Sequence, residues 1–364
     1  MSMHRREFLA ASGAAALAGC ANIATPSGNG DYRKLRVIDA HAHWYPQEFV
    51  TLMEKEGPAN GAKMGKDAEG NAVVLSVNGG TQTSVMRRNM VDLDLMIKEM
   101  DARKVNMYAL SMTNPMVYWA PPAFGLKLSQ VYNDSLAAAH QQYPTRFLGL
   151  MTLPMQAPEF AVKEIERAAK LPGIKGVYIA TAINGRNLDD KAFWPVYERC
   201  EAMNLPLLLH PINPVGAERM KSYYLRNFIG NPVDTGIAAA SLIFGGVMDA
   251  FPKLDVVLPH AGGITPILIG RWDHGSSVRP ETKHMTKAPS TYLRRFHYDT
   301  ISHSPQIMAN IVKQVGADRV VLGSDHPADM SLERPVDFVE SIPELSRSER
   351  ELILGGNAKR LLRI

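Results

Sequence analysis

The chain has 364 residues, 46% hydrophobic and 21% charged, a balance that supports a large buried core and excludes a disordered or collagen-like chain. The formal net charge is +4 and the basic residues are scattered, which argues against the concentrated basic face of a nucleic-acid binder. No stretch reaches the roughly 18 apolar residues that a membrane-spanning helix needs.

The first element in chain order is a short targeting pattern. His4-Arg5-Arg6-Glu7-Phe8-Leu9 leads into a mild apolar stretch, Ala10 to Gly19, that ends Leu17-Ala18-Gly19-Cys20. Paired arginines ahead of such a stretch mark a twin-arginine export signal. The Leu-Ala-Gly-Cys ending resembles a bacterial lipobox, in which Cys20 takes lipid and becomes the first mature residue. Residues 1–20 are therefore set aside as a signal, and the expectation is a periplasmic or membrane-anchored lipoprotein that touches the membrane only through that anchor. The other cysteine, Cys200, then has no disulfide partner and reads as a small buried hydrophobe on an amphipathic helix. Residues 21–34, with Pro26, Gly28 and Gly30, read as a flexible tether.

From residue 35 to 364 the pattern is that of one domain. Leu35 to His41 is an apolar run of strand length. Residues 44–90 form an insertion, where Asn71 to Val77 followed by Asn78-Gly79-Gly80 suggests a small hairpin. Helices near 91–103, 126–142 and 158–170 then precede strands at Val105–Met112, Phe147–Leu153 and Ile174–Ala180. The alternation continues with a helix at 190–203 and a strand ending Leu208-Leu209-His210, and a helix at 234–249 before Leu254 to His260. A helix at 264–273 precedes Phe296-His297-Tyr298-Asp299. The last strand is Arg319 to Asp325, followed by a helix at about 347–362 with Ser346 as N-cap. Short, continuously apolar strands belong to a parallel sheet covered on both faces. Eight such units predict an α/β fold, a (β/α)8 TIM barrel with a small hairpin-containing insertion after the first strand. An open doubly wound sheet is the alternative, but no glycine-rich phosphate loop follows the first strand.

Of the 11 histidines, His41, His43, His210 and His260 fall where a strand hands over to its loop, and Asp325 does the same. In a barrel these ends meet at one face, where active sites lie. Side chains alternate along a strand, so His41 and His43 point the same way. Three imidazoles and the Asp325 carboxylate make a nitrogen-rich site for one divalent metal ion, Zn2+ first and Mn2+ as the alternative. Such an ion brings the pKa of bound water towards neutrality. The strand Gly176 to Ala180 ends without a lysine or glutamate to bridge a second ion, which favours a mononuclear site.

With these residues placed, the chain resembles the amidohydrolase-related branch of the amidohydrolase superfamily, typified by α-amino-β-carboxymuconate-ε-semialdehyde decarboxylase. The likeness spans roughly residues 36–362. It is densest from Tyr143 to Leu150 and Thr152 to Glu159, and returns at Gly245-Gly246-Val247, Phe251-Pro252-Lys253-Leu254, His260-Ala261-Gly262-Gly263 and Gly323-Ser324-Asp325. The resemblance implies a metal-dependent non-oxidative decarboxylase of an aromatic or unsaturated carboxylic acid. It implies His41, His43, His210 and Asp325 as metal ligands and His260 as the catalytic histidine that exchanges protons, with Asp325 relaying a proton while it ligates. Arg271 matches an arginine that reaches into the neighbouring subunit's site and holds a substrate carboxylate, which implies a homodimer. The family's second carboxylate-binding arginine falls at Ser84, with Arg87 and Arg88 nearby; Arg87 is taken as its substitute. The chain also departs from the family at His326-Pro327-Ala328, where the relative carries aromatic residues, and near Tyr224 and Asn227, where the family's tryptophans are absent; these departures read as surrounding the substrate. Two other readings compete: a metal-dependent hydrolase acting on an ester, amide, lactone or carbon–carbon bond, and a surface-anchored binding protein on a barrel that has lost its chemistry.

Overall fold

Strand β1, Ile38–His43, buries all six of its residues, as a strand enclosed on both faces must. The computed structural model describes residues 35–80 and 83–364, so the expected export signal, Cys20 and the expected tether lie outside the described residues.

After β1 the chain forms a helix, Gln47–Glu56, and then the insertion, an antiparallel three-stranded sheet of β2 (Ala62–Lys66), β3 (Ala72–Val77) and β4 (Ser84–Met86). The expected hairpin, Asn71 to Val77 followed by Asn78-Gly79-Gly80, is the antiparallel β3–β4 pair; a second hairpin, β2–β3, turns at Asp67, whose carboxylate accepts from the backbone of Glu69 and Asn71. Such an aspartate turn satisfies the backbone without a ladder. The remaining core strands are β5 (Met107–Ser111), β6 (Phe147–Thr152) and β7 (Ile174–Ala180). A two-stranded hairpin, β8 (Ala182–Ile183) and β9 (Arg186–Asn187), precedes β10 (Leu207–His210), β11 (Val256–Leu258) and β12 (Phe296–Tyr298). The seven core strands pair in parallel in the order β1-β5-β6-β7-β10-β11-β12, with helices between them. Large side chains such as Phe147, Tyr178, Phe296 and Tyr298 are completely buried in the core.

The eighth wall differs from expectation. Residues 319–325 were expected as a regular strand; instead Arg319 closes a 3-10 turn, Asp325 is left-handed, and the segment and the residue after it carry only single parallel bridges, Val320 to Tyr298 and His326 to Ala42. The ring still closes through Val321 N–H to Tyr298 O (2.8 Å), Ala40 N–H to Leu322 O (2.8 Å) and His43 N–H to His326 O (2.7 Å). The ladder is broken because other amides of the segment bond elsewhere. Leu322 donates to Ile353 O, Gly323 to the Thr300 hydroxyl and Ser324 to the Asp39 carboxylate.

Two expected helices are subdivided. The helix expected over 234–249 is Asn231–Phe244 and Val247–Ala250, separated at Gly245-Gly246, where Gly246 takes a φ of 77°. The final helix starts with Ser346 and Glu349 in a full capping box, then passes through a wider turn at Leu352–Gly356. There a Cβ on Gly355 would stand 2.1 Å from Arg36 O, so only glycine lets this helix lie against the entry to β1. The helices Gln47–Glu56, Pro305–Val315 and Pro335–Ser341 go beyond the sequence expectation.

Candidate metal centre

His41 and His43 share a face of β1, and His210 ends β10. Asp325 follows the irregular eighth wall with a φ of 62°, a left-handed conformation that costs a non-glycine residue energy and collects at functional sites. It is held there by Asp325 N–H to His41 O at 2.9 Å. One potential ligand atom from each of His41, His43, His210 and Asp325 falls within 4.8 Å of all the others. All four residues are buried. The structure therefore presents a divalent-metal site made of the residues the sequence singled out.

The details fit a cation. Nε2 of His41 lies 3.2 Å from Nε2 of His43, and both approach Asp325 Oδ1, at 3.4 and 2.8 Å. Lone pairs that converge at this range need a positive centre between them. The opposite nitrogens are anchored: His41 Nδ1 stands 2.8 Å from Asp299 Oδ2, and His43 Nδ1 3.1 Å from the Ser111 hydroxyl. Partners of this kind fix ring orientation and raise ligand basicity. Among the described residues neither ring nitrogen of His210 has a hydrogen-bond partner, although the residue is buried. A buried imidazole left unpaired is costly unless it ligates.

Electrostatics point the same way. Burial pushes His210 well below, and His43 below, the ordinary imidazole range, so both rings are neutral, as ligands must be. Burial would also raise Asp325, but the facing imidazoles of His260, His41 and His43 hold it well below the usual carboxylate range. Without a metal, burial works to lower His41 but is outweighed by Asp299 and Asp325, which lift it to about 10. Tyr178, on β7 where a bridging ligand would stand, has its hydroxyl 3.2 Å from His41 Nε2 and its ring stacked on His210. Burial raises its pKa well above the normal phenol value, so it remains a neutral donor.

His260 sits beside the four ligands rather than among them. Its Nε2 is 3.8 Å from Asp325 Oδ2, and its ring centroid is 5.5 Å from that of His210. The turn that presents it has positive φ from His260 to Gly263. A Cβ on Gly262 would meet the Tyr298 ring at 2.6 Å, and one on Gly263 the Pro232 carbonyl at 2.2 Å, which explains both glycines of the His-Ala-Gly-Gly run. From His260 and Asp325 a cavity of about 590 Å³ opens outward, with Asn227 and Phe228 in its wall.

Arg271 is exposed on the helix Thr265–Val278, one turn beyond the cavity-lining Ile267, and is not itself in the lining. Arg87 is exposed at the start of the short helix Arg88–Val91 and also lies outside the lining; Ser84 is buried in β4. The sequence reading placed His326 around the substrate, but its ring turns away from the cavity. It packs 5.4 Å from Tyr108, and its Nε2 is 2.9 Å from Glu99 Oε2. The parallel bridge to Ala42 sends this side chain behind the barrel wall. Asp299, Ser111 and Tyr178 are functional neighbours that the sequence reading did not assign. Asp299 carried a signal, since it directly follows a core strand just as His210 ends one.

The amidohydrolase family matches over residues 38–364. The chain is 34% identical to a 2-amino-3-carboxymuconate-6-semialdehyde decarboxylase of Dictyostelium discoideum, over 89% of this chain and 91% of that protein. Among solved structures it resembles 5-carboxyvanillate decarboxylase from Sphingomonas paucimobilis, with a TM-score of 0.78 and 28% identity, covering 91% of this chain and 99% of that one. A dihydroxybenzoic acid decarboxylase from Polaromonas sp., solved with bound manganese and the inhibitor 2-nitroresorcinol, shares the fold at a TM-score of 0.73 and 24% identity, over 90% of this chain and 96% of that one.

Proposed function

The chain belongs to the amidohydrolase family, and from that premise we propose that it is a metal-dependent, non-oxidative decarboxylase of aromatic or unsaturated carboxylic acids. The observation that carries this reading is His260: a histidine outside the ligand set, at the inner end of a cavity, facing the Asp325 carboxylate. Decarboxylation needs a proton delivered to the carbon that loses CO2, and an imidazole is suited to deliver it.

His41, His43, His210 and Asp325 would hold the ion, with Zn2+ the first choice for three imidazoles and one carboxylate and Mn2+ the alternative. Bound there, a divalent ion supplies Lewis acidity that draws electron density from the substrate. As the carbon–carboxylate bond breaks, its electron pair stays on the substrate carbon, and His260 gives that carbon a proton while CO2 departs. Solvent then returns a proton to His260. Asp325 takes part as the facing carboxylate. Arg271 is assigned to a neighbouring subunit's cavity in a homodimer, where its fork of donors suits a carboxylate. Its exposure on the cavity-lining helix supports this placement.

For location, the Arg5-Arg6 pair and the Leu17-Ala18-Gly19-Cys20 ending support twin-arginine export and lipidation at Cys20. Cys20→Ala should release the protein from the membrane fraction while export continues.

The activity test is CO2 release from a panel of hydroxylated aromatic acids by protein loaded with zinc or with manganese. In D2O, deuterium should appear at the carbon that lost the carboxylate. Cleavage into two organic products with no CO2 would establish a hydrolase instead.

A further inference from the structure

The cavity beside the metal centre is larger than the chemistry at its inner end requires. Its volume of about 590 Å³ lies within the range of about 300–1,000 Å³ that accommodates drug-sized ligands, beyond what one small ring fills. Away from His260 and Asp325 it runs between the helices Thr265–Val278 and Pro305–Val315. Phe228, Ile267, Ile301, Ile307, Ile311 and Met330 give it an apolar wall.

Charge is distributed unevenly along this space. Among the described residues the titratable lining consists of His260, His303 and Asp325, with no lysine or arginine. His260 and Asp325 mark the inner end, and His303 is exposed. The remaining polar lining includes uncharged side-chain amides such as Asn227 and Asn310. Phe228, Ile267 and Ile307 are exposed, but against the buried Ile301 and Ile311 a carboxylate would lose its hydration with no lysine or arginine of the described lining to replace it, which is strongly unfavourable. An alkyl chain there would gain about fourfold in affinity for each methylene buried.

We infer that the substrate is an aromatic monocarboxylic acid with an uncharged apolar substituent, an alkyl chain or a second ring, that lies along the isoleucine-lined channel. The inference rests on the decarboxylase reading for which end of the acid faces the metal. On the dimer reading, a partner's Arg271 would pair with the carboxylate that is lost. Selectivity thus comes from both a favourable apolar wall and the penalty on a second acid group.

The test measures binding and turnover separately on the zinc-loaded full chain. Three hydroxynitroarenes are titrated calorimetrically, with nitro in place of the leaving carboxylate: one unsubstituted, one with a butyl tail and one with a tail of equal length ending in a carboxylate. The tail is placed at each ring position in turn. At the best position the butyl compound should bind about a hundredfold more tightly than the unsubstituted one. The carboxylate-ended tail should lose most of that gain. Ile307→Arg, at an exposed position on the channel wall, should improve binding of the carboxylate-ended compound at least tenfold. Equal binding of all three compounds, or tightest binding of the carboxylate-ended one by the wild type, overturns the inference. The corresponding carboxylic acids are then assayed for CO2. Selective binding with no CO2 from any acid removes the decarboxylase reading and leaves the channel's selectivity intact. CO2 release with unselective binding does the reverse.

Discussion

The carboxylate of Asp299 ties His41 to the turn that presents His260. Its Oδ2 stands 2.8 Å from His41 Nδ1, while its Oδ1 accepts from the backbone N–H of Ala261 at 2.7 Å and of Ile301 at 3.1 Å. One side chain thus holds His41, the turn that carries His260 and a cavity-wall residue.

Asp299→Asn keeps the shape and removes the charge that fixes the His41 ring. Loss of such an outer partner typically costs about 10–100-fold in metal affinity. Competition with a zinc-binding dye should show a loss of that size, with kcat reduced even at saturating zinc. Unchanged zinc affinity would contradict this role.

A pH signature follows from His41. In the metal-free protein its pKa is about 10, against about 6.5 in the unfolded chain. The folded state therefore favours the proton. The stability this supplies is complete below pH 6.5 and disappears as pH rises through 10. His43 and His210, both shifted down by burial, are neutral in the folded state; their opposing slope comes from the unfolded chain near pH 6.5 and fades above about pH 7.5. The urea midpoint of chelated protein should fall between pH 7 and 9.5. Zinc uptake at pH 7.5 should release a proton, seen as a buffer-dependent heat in calorimetry. A midpoint that does not fall, together with zinc uptake free of proton release, would show that His41 is not held protonated.

His260→Gln should leave metal content at the wild-type level, because His260 stands outside the ligand set. General acid catalysis contributes about 10²–10⁴-fold, so kcat should fall by that factor with little change in KM. Metal analysis and steady-state kinetics on the same preparation check both parts. Loss of metal would make His260 a ligand instead.

The homodimer assignment has a mixing test. Arg271→Ala and His260→Ala chains should each be inactive alone. In a re-associated equimolar mixture, mixed dimers carry one site with both residues, which returns about a quarter of wild-type activity for random pairing. No recovery on mixing, with mixed dimers verified, would place Arg271 outside the partner's site.

The metal site was readable in the sequence because every ligand follows directly from a recognisable apolar strand or strand-like segment, and barrel geometry makes such ends converge. Its supports were harder to read. Asp299 also stands at a strand end, yet only tertiary packing shows that it faces His41 across the narrow space left by Gly323, where a Cβ would be 2.8 Å from Asp299 Cβ and 2.9 Å from His41 Cβ. His326 misled for the opposite reason. It is next to a ligand in the chain, but the left-handed backbone at Asp325 turns the following side chain towards Glu99. Helix Gln47–Glu56 was hidden because its buried residues are only Phe49, Val50 and Met53 amid polar neighbours, too short a stripe to stand out.

The irregular eighth wall makes the fourth donor depend on chain that follows it. The segment leading to Asp325 is steadied partly by Leu322 N–H to Ile353 O. A chain cleaved between Asp325 and Ile353 would keep the three imidazoles but lose this clasp on the carboxylate.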